Sequence, residues 1–243
     1  MISRKIRLGV LGIFLIGSST AALAVDAGFM DALQSDARPA EAKARDGIRR
    51  PAQVMELLGV VSGMTVVDIE ALGGWYTEVL SAAVGPSGRV IAQVGPRGLQ
   101  QDDGAPSRAQ AQRLGNVDVV FEDLSSIDDN SADAALTALN LHDYYIFFGG
   151  DEGVAGYLES IYNVLKPNGR AAIIDHEGSE GMNNNELHRI PAAYAKRMIE
   201  QAGFEIVVES DLLHTNADDH SLSIRDPSLG RNTDRFLFIV RKP

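Results

Sequence analysis

Val66-Val-Asp-Ile-Glu-Ala-Leu-Gly-Gly-Trp-Tyr-Thr-Glu-Val-Leu80 decides how the rest of the chain is read. Residues 64–69 are a short β-branched run of the kind that makes a buried strand. The chain then turns at Gly73 and Gly74, and apolar residues return at helical spacing at Tyr76, Val79 and Leu80. Strand, glycine loop and helix form the first unit of an α/β sheet. Such a loop sits at the carboxyl end of its strand, where open α/β sheets bind ligands. Its glycines allow close approach of backbone to a ligand, and the following helix start offers free N–H groups.

The alternation continues outward from that unit. Gly85-Pro86-Ser87-Gly88 turns into a strand over 89–94, and a helix over 105–114 precedes a strand over 117–122. Asp129-Asn130-Ser131 then turns into a strand over 132–139. A helix over 152–165 is stopped by Lys166-Pro167-Asn168-Gly169, because proline cannot continue it and Asn or Gly takes the left-handed cap. A strand over 170–175 follows at once. The ending is different: a helix over 192–202, Gly203, a strand over 204–212, and a last strand over 235–241 with no helix between them. Alternating strands and helices predict a parallel sheet with right-handed crossovers and helices on both faces. The helix-free final pair predicts one reversed strand. The expected fold is therefore α/β and Rossmann-like, with a seven-stranded, mostly parallel sheet and one antiparallel strand.

Before this domain, residues 25–51 read as a polar, Ala-rich arm. Pro51 suits the first turn of a helix carrying Val54, Leu57 and Leu58. The first 24 residues read as a leader. Arg4, Lys5 and Arg7 precede a short apolar run, and Ala22-Leu23-Ala24 fits a secretory cleavage site. The run is shorter than the roughly 20 residues that span a bilayer. The reading is export with cleavage after Ala24, to the periplasm or the medium, leaving the arm and a domain over 52–243. Loss of three cations takes the net charge from −11 to −14.

Composition excludes several classes. An acidic chain with pI near 4.9 lacks the basic surface that nucleic acid requires, and it is repelled by anionic membranes. The absence of cysteine removes disulfides, thiolate metal sites, a Cys nucleophile and a lipid-anchored amino terminus. The expected partner is a small molecule.

The stretches quoted above, with Val164-Leu-Lys-Pro-Asn-Gly-Arg170 and Gln201-Ala-Gly-Phe204, resemble class I S-adenosylmethionine-dependent methyltransferases. More narrowly, Arg45, Asp46, Arg49, Pro51, the His142-Asp143 and Asp175-His176 pairs, and His188-Arg189 resemble an exported group of predicted methyltransferases. The resemblance implies a cofactor, S-adenosylmethionine, held by Asp68, Glu70, Gly73, Gly74, Gln93 and either Asp123 or Glu122. It also implies methyl transfer to a small acceptor, with His142, Asp143, His176 and His188 on the acceptor side and His142 or His176 as the base. Two departures stand out. Glu70 and Leu72 occupy positions where the family has glycine, and Gln93 stands where a carboxylate usually grips the ribose hydroxyls. A side chain at either loop position takes space the cofactor needs, and Gln lacks the charge-assisted strength of a carboxylate.

Two rivals remain open. One is an exported binding protein that keeps the fold and has lost the cofactor. The other is a metal-dependent hydrolase built on His142, Asp175, His176, His188 and the Asp218-Asp219-His220 cluster. Imidazole and carboxylate suit Zn or Mn, but no two histidines have the spacing that sets two ligands on one helix face. No metal site is assigned, and no Gly-x-Ser-x-Gly elbow supports a serine hydrolase. Trp75, Tyr76, Tyr144, Tyr145, Phe147 and Phe148 flank the candidate loops, either stacking on a ligand or packing as core and rim.

Overall fold

Val66 and Val67 are both fully buried, yet they belong to separate hydrophobic clusters on opposite faces of the sheet, as the two-residue period of a strand requires. The computed structural model describes residues 27–243; the leader and its cleavage point lie outside the described residues. In chain order the arm comprises α1 (Ala27–Gln34), α2 (Ala40–Lys43) and α3 (Asp46–Arg49), and α4 (Pro51–Leu58) follows. The alternating part is β1 (Thr65–Ile69), α5 (Trp75–Val84), β2 (Arg89–Gln93), α6 (Gly95–Asp102), α7 (Ala105–Leu114), β3 (Val117–Val120), β4 (Ala132–Ala138), α8 (Leu141–Phe147), α9 (Asp151–Val164) and β5 (Leu165–His176). The chain ends with α10 (Asn184–Leu187), α11 (Ala192–Gln201), β6 (Glu205–Ser210) and β7 (Arg235–Arg241).

The seven strands form one sheet in the order β3-β2-β1-β4-β5-β7-β6. Pairings from β3 through β5 are parallel, and β7 runs antiparallel to both β5 and β6. This is the mostly parallel sheet with one reversed strand that the alternation and the helix-free ending predict. One face is covered by α9 and α11 through Leu158, Ile161 and Ile199. The other is covered by α4 and α5 through Met55, Val79 and Leu80.

The arm is more than a lead-in. Phe29 and Leu33 of α1 are buried in the same cluster as Trp75 and Val79, a burial of about 1.5–3 kcal/mol per side chain. Buried Arg38 holds Asp46 with two bonds, of 2.5 and 2.7 Å, and the Trp75 indole donates to the Ala42 carbonyl at 2.9 Å. These contacts seat α2 and α3 over the loop that follows β1.

Two boundaries differ from the sequence reading. The helix expected to reach residue 165 stops at Val164, and β5 begins at Leu165 rather than Arg170. Leu165 pairs with Ala132 across a register shift, and Asn168 takes φ +64° in the turn between. The segment expected as a loop after β4 is helix α8, so His142 and Asp143 stand in its first turn.

Candidate functional site

The carboxyl end of β1 delivers Asp68, and the next six residues shape the cleft. The loop is tied to β2 by the Ala71 N–H on the Gln93 carbonyl at 2.8 Å. Gly73 and Gly74 both have positive φ, and a side chain at Gly74 would collide with Gln110, whose amide donates to the Gly74 carbonyl. Glu70 also sits in the left-handed region, φ +52°, where a non-glycine residue carries strain.

The two residues that depart from the expected glycines behave differently. Leu72 is 38% exposed and lies on the rim, where it lines the space beside Asp68 and Glu70. Glu70 turns inward, and its carboxylate accepts a 3.0 Å bond from the Tyr144 hydroxyl of α8. Tyr144 is held by stacking on Tyr157, with ring centroids 3.8 Å apart. Gln93 is buried and spent on the scaffold. Its Oε1 accepts from the Glu70 N–H at 2.9 Å, and its Nε2 donates to the Glu122 carbonyl at 3.1 Å. Asp123 is exposed at the start of the turn Leu124–Ser126, and its side chain makes no hydrogen bond among the described residues.

Asp68 is buried and accepts a 2.6 Å bond from the Thr77 hydroxyl. Burial pushes its carboxyl up to about 7, against the opposing pull of that bond and of Arg49. The space lined by Asp68, Glu70, Leu72, Leu139 and Asn140 is about 220 Å³, below the range of about 300–1,000 Å³ common for small-molecule sites. Larger spaces of about 580 and 410 Å³ border the same loop at Gly73 and Gly74. Of the residues read for S-adenosylmethionine, Asp68 and Gly73 sit at the carboxyl end of β1, while Glu70 and Gln93 are engaged in bonds within the protein.

The histidines converge from β4 and β5, which are neighbours in the sheet. Fully buried Asp175 accepts from the His142 N–H at 2.8 Å, from His142 Nδ1 at 2.7 Å and from the His176 N–H at 2.7 Å. Burial opposes charge on both partners, but their mutual attraction wins, raising His142 above the usual imidazole value and lowering Asp175. His176 bonds Thr233 through Nδ1 at 2.7 Å, and burial drives it well below the usual imidazole value, so it is neutral at pH 7. His142 and His176 lie 5.5 Å apart, and His142 and His188 5.9 Å. Replacing Asp175 with Asn is expected to lower the His142 titration midpoint by about 1–3 units, readable as a shift of its imidazole NMR signals with pH; an unmoved midpoint would contradict the pairing.

His142 Nε2 is 3.3 Å from Asp143, and His188 Nδ1 is 3.7 Å from the same carboxylate. One donor atom from each of the three falls within a common 4.8 Å, a spacing a divalent cation fits. The rest of the residues weighed for a metal are placed otherwise. Asp175 is saturated by its hydrogen bonds, and Asp218 pairs with Arg189. Asp219 caps Ser221, and His220 bonds Asp234.

A cavity of about 580 Å³ opens between the arm, the β1 loop and the approach to β7, and His176 lines it. So do Arg45, Arg49, Arg231 and Arg235. The first two belong to the arm motif read from the sequence, but not as cavity residues. The last two went unread, because no local pattern marks them and only the return of β7 beside β5 brings them there.

No protein-family model matches the chain, and no curated protein matches its sequence. Solved structures match closely in shape. A methyltransferase described as S-adenosylmethionine-dependent, from Aquifex aeolicus, aligns over 85% of this chain and 99% of its own, with TM-score 0.61 and 21% identity. The chain has the class I methyltransferase fold. Further similar structures are the [4+2]-cyclase SpnF (90% of this chain, 96% of its own, TM-score 0.57, 18% identity) and a Burkholderia thailandensis N1-methyltransferase of 1,6-didemethyltoxoflavin with S-adenosylhomocysteine bound (80% and 76%, TM-score 0.54, 22% identity). A cyclase among them means that this fold alone does not fix the reaction.

Proposed function

We propose that this chain is an exported S-adenosylmethionine-dependent methyltransferase of a small acceptor, whose cofactor cleft is narrowed by Glu70. The observation that carries the reading is the placement of His176 on a ligand-sized cavity at the carboxyl ends of a methyltransferase-type sheet. The leader-like start supports export, and among the described residues no helix is long and apolar enough to cross a membrane. When bound, S-adenosylmethionine supplies a methyl group on a sulfonium. The chain's own contributions are separate from that group. Neutral His176, oriented by Thr233, can accept a proton from a molecule in the cavity. His142 and Asp175 fix the end of β5 that presents it.

A second reading, a binding protein on this fold without cofactor, is favoured by the Glu70–Tyr144 bond and the saturated Gln93. Export, which removes the chain from the cytosol where the cofactor is made, favours it too. Thermal unfolding with 1 mM S-adenosylmethionine separates the two. Binding with Kd near 100 μM stabilises by about 1.4 kcal/mol, a rise of a few degrees. An unchanged midpoint, together with no rise for a Glu70→Gly variant, would leave the binding-protein reading.

A further inference from the structure

Four arginines from two distant parts of the chain face one cavity in a protein of net charge −11. Arg45 and Arg49 come from the arm, and Arg231 and Arg235 from the approach to β7. Among the described residues none of the four pairs with a carboxylate; the chain's other buried guanidiniums, Arg38 and Arg189, are each held by an aspartate. Two are held in place without a carboxylate ion pair. Arg49 lies over Trp75 at 4.8 Å and Tyr76 at 5.6 Å. Arg235, 6% exposed, donates to the Thr233 hydroxyl and the Arg231 carbonyl.

Opposing charge reaches two of the four without an ion pair: Asp68 acts on Arg49, and Asp175 and Asp234 act on Arg235. Glu78 is taken by Arg113 at 2.8 Å, and Glu41 is exposed at the rim. The guanidiniums also work against one another. Burial and then Arg231 lower Arg45, and burial, with Arg45 and Arg235 adding to it, brings Arg49 down to about 10. Four gathered cations cost the free protein stability. Planar guanidiniums bind carboxylate and phosphate through paired N–H bonds, so an anion would remove that cost on entering. Part of the remaining wall is apolar, with Trp75, Ile48, Leu139 and Ile224, beside polar Gln110, His176 and Thr233.

We propose that this cavity binds a small organic dianion, with its anionic groups on Arg45, Arg49, Arg231 and Arg235 and its apolar body against Trp75. The shared chemistry of the ligand is a compact double negative charge, met by a phosphate monoester or a dicarboxylate. The proposal goes beyond methyl transfer and holds whether or not the cofactor cleft opens. S-adenosylmethionine, whose carboxylate is offset by its own ammonium and sulfonium, brings no net negative charge to them.

Calorimetric titration of the whole protein with phenyl phosphate, phthalate and benzoate, at 50 and 200 mM salt, tests it. Expected are binding of at least one dianion at least tenfold tighter than benzoate, and weakening at the higher salt. Phenyl phosphate and phthalate distinguish the two dianion sources. Arg231 is exposed, so Arg231→Gln should fold as the wild type does, and it should bind the preferred dianion at least fivefold more weakly. Its ligand-free melting temperature should rise or stay level, because one repelling charge is gone. Equal affinity for benzoate and both dianions, or an Arg231→Gln variant that binds the dianion as wild type does, would overturn the proposal. Failure of S-adenosylmethionine to bind would leave it standing.

Discussion

Replacing Arg189 with Met is expected to lower the folding free energy by about 3–5 kcal/mol, the range for removing one partner of a buried ion pair. Arg189 and Asp218 are both fully buried and meet at 2.9 Å. The same guanidinium donates to the Leu222 and Glu177 carbonyls, each at 3.0 Å. Met fills much of the volume, but it leaves the Asp218 carboxylate and two carbonyls without their donor. Asp218 also accepts from the His220 and Asp234 N–H groups, so the loss propagates into the segment that carries Arg231, Thr233 and Arg235. Urea unfolding reads the effect as a lower midpoint at unchanged slope. A change under 1 kcal/mol would mean that Arg189 does not hold this segment.

Asp68→Asn is expected to act in the opposite direction and to depend on pH. The carboxyl is raised from 3.8 to about 7 in the folded protein, so folding takes up a proton between those values. Its favourable contribution is complete below pH 3.8 and is lost as pH rises through 7. Three units correspond to about 4 kcal/mol. Asn keeps an acceptor for Thr77 but adds an amide N–H₂ that needs a partner, so the net gain at pH 8.5 should be about 2–4 kcal/mol, shrinking towards zero at pH 4. Melting curves of both proteins at the two pH values check this. A gain equal at both would show that Asp68 is ionised throughout.

These effects sit in parts of the molecule that the sequence discloses unequally. The sheet was legible because β-branched runs such as 64–69 and turns such as Gly85-Pro86-Ser87-Gly88 punctuate it clearly. The meeting of His142 with Asp175 and His176 followed from topology, since residues just past adjacent parallel strands share one mouth. Helix α8 was missed because it is short and its last residue, Phe147, is 57% exposed, which blurs any apolar periodicity. Glu70 and Leu72 looked equivalent as departures from glycine. Only the structure shows that Glu70 is held by the Tyr144 hydroxyl while Leu72 stays at the exposed rim of the same space. The arginine cavity was hidden for a different reason: its two halves lie near opposite ends of the chain, and the insertion of β7 between β5 and β6 is what joins them.

We propose that the cofactor cleft of this methyltransferase fold is narrowed by the Glu70 side chain. Titration of S-adenosylmethionine into the wild type and a Glu70→Gly variant, side by side in a calorimeter, tests it most directly. Glycine suits φ +52° and relieves about 1 kcal/mol of strain, so the variant should remain folded despite losing the Tyr144 bond. Glu70→Gly is expected to bind at least tenfold more tightly, equivalent to about 1.4 kcal/mol or more. Equal dissociation constants for the two folded proteins would contradict it.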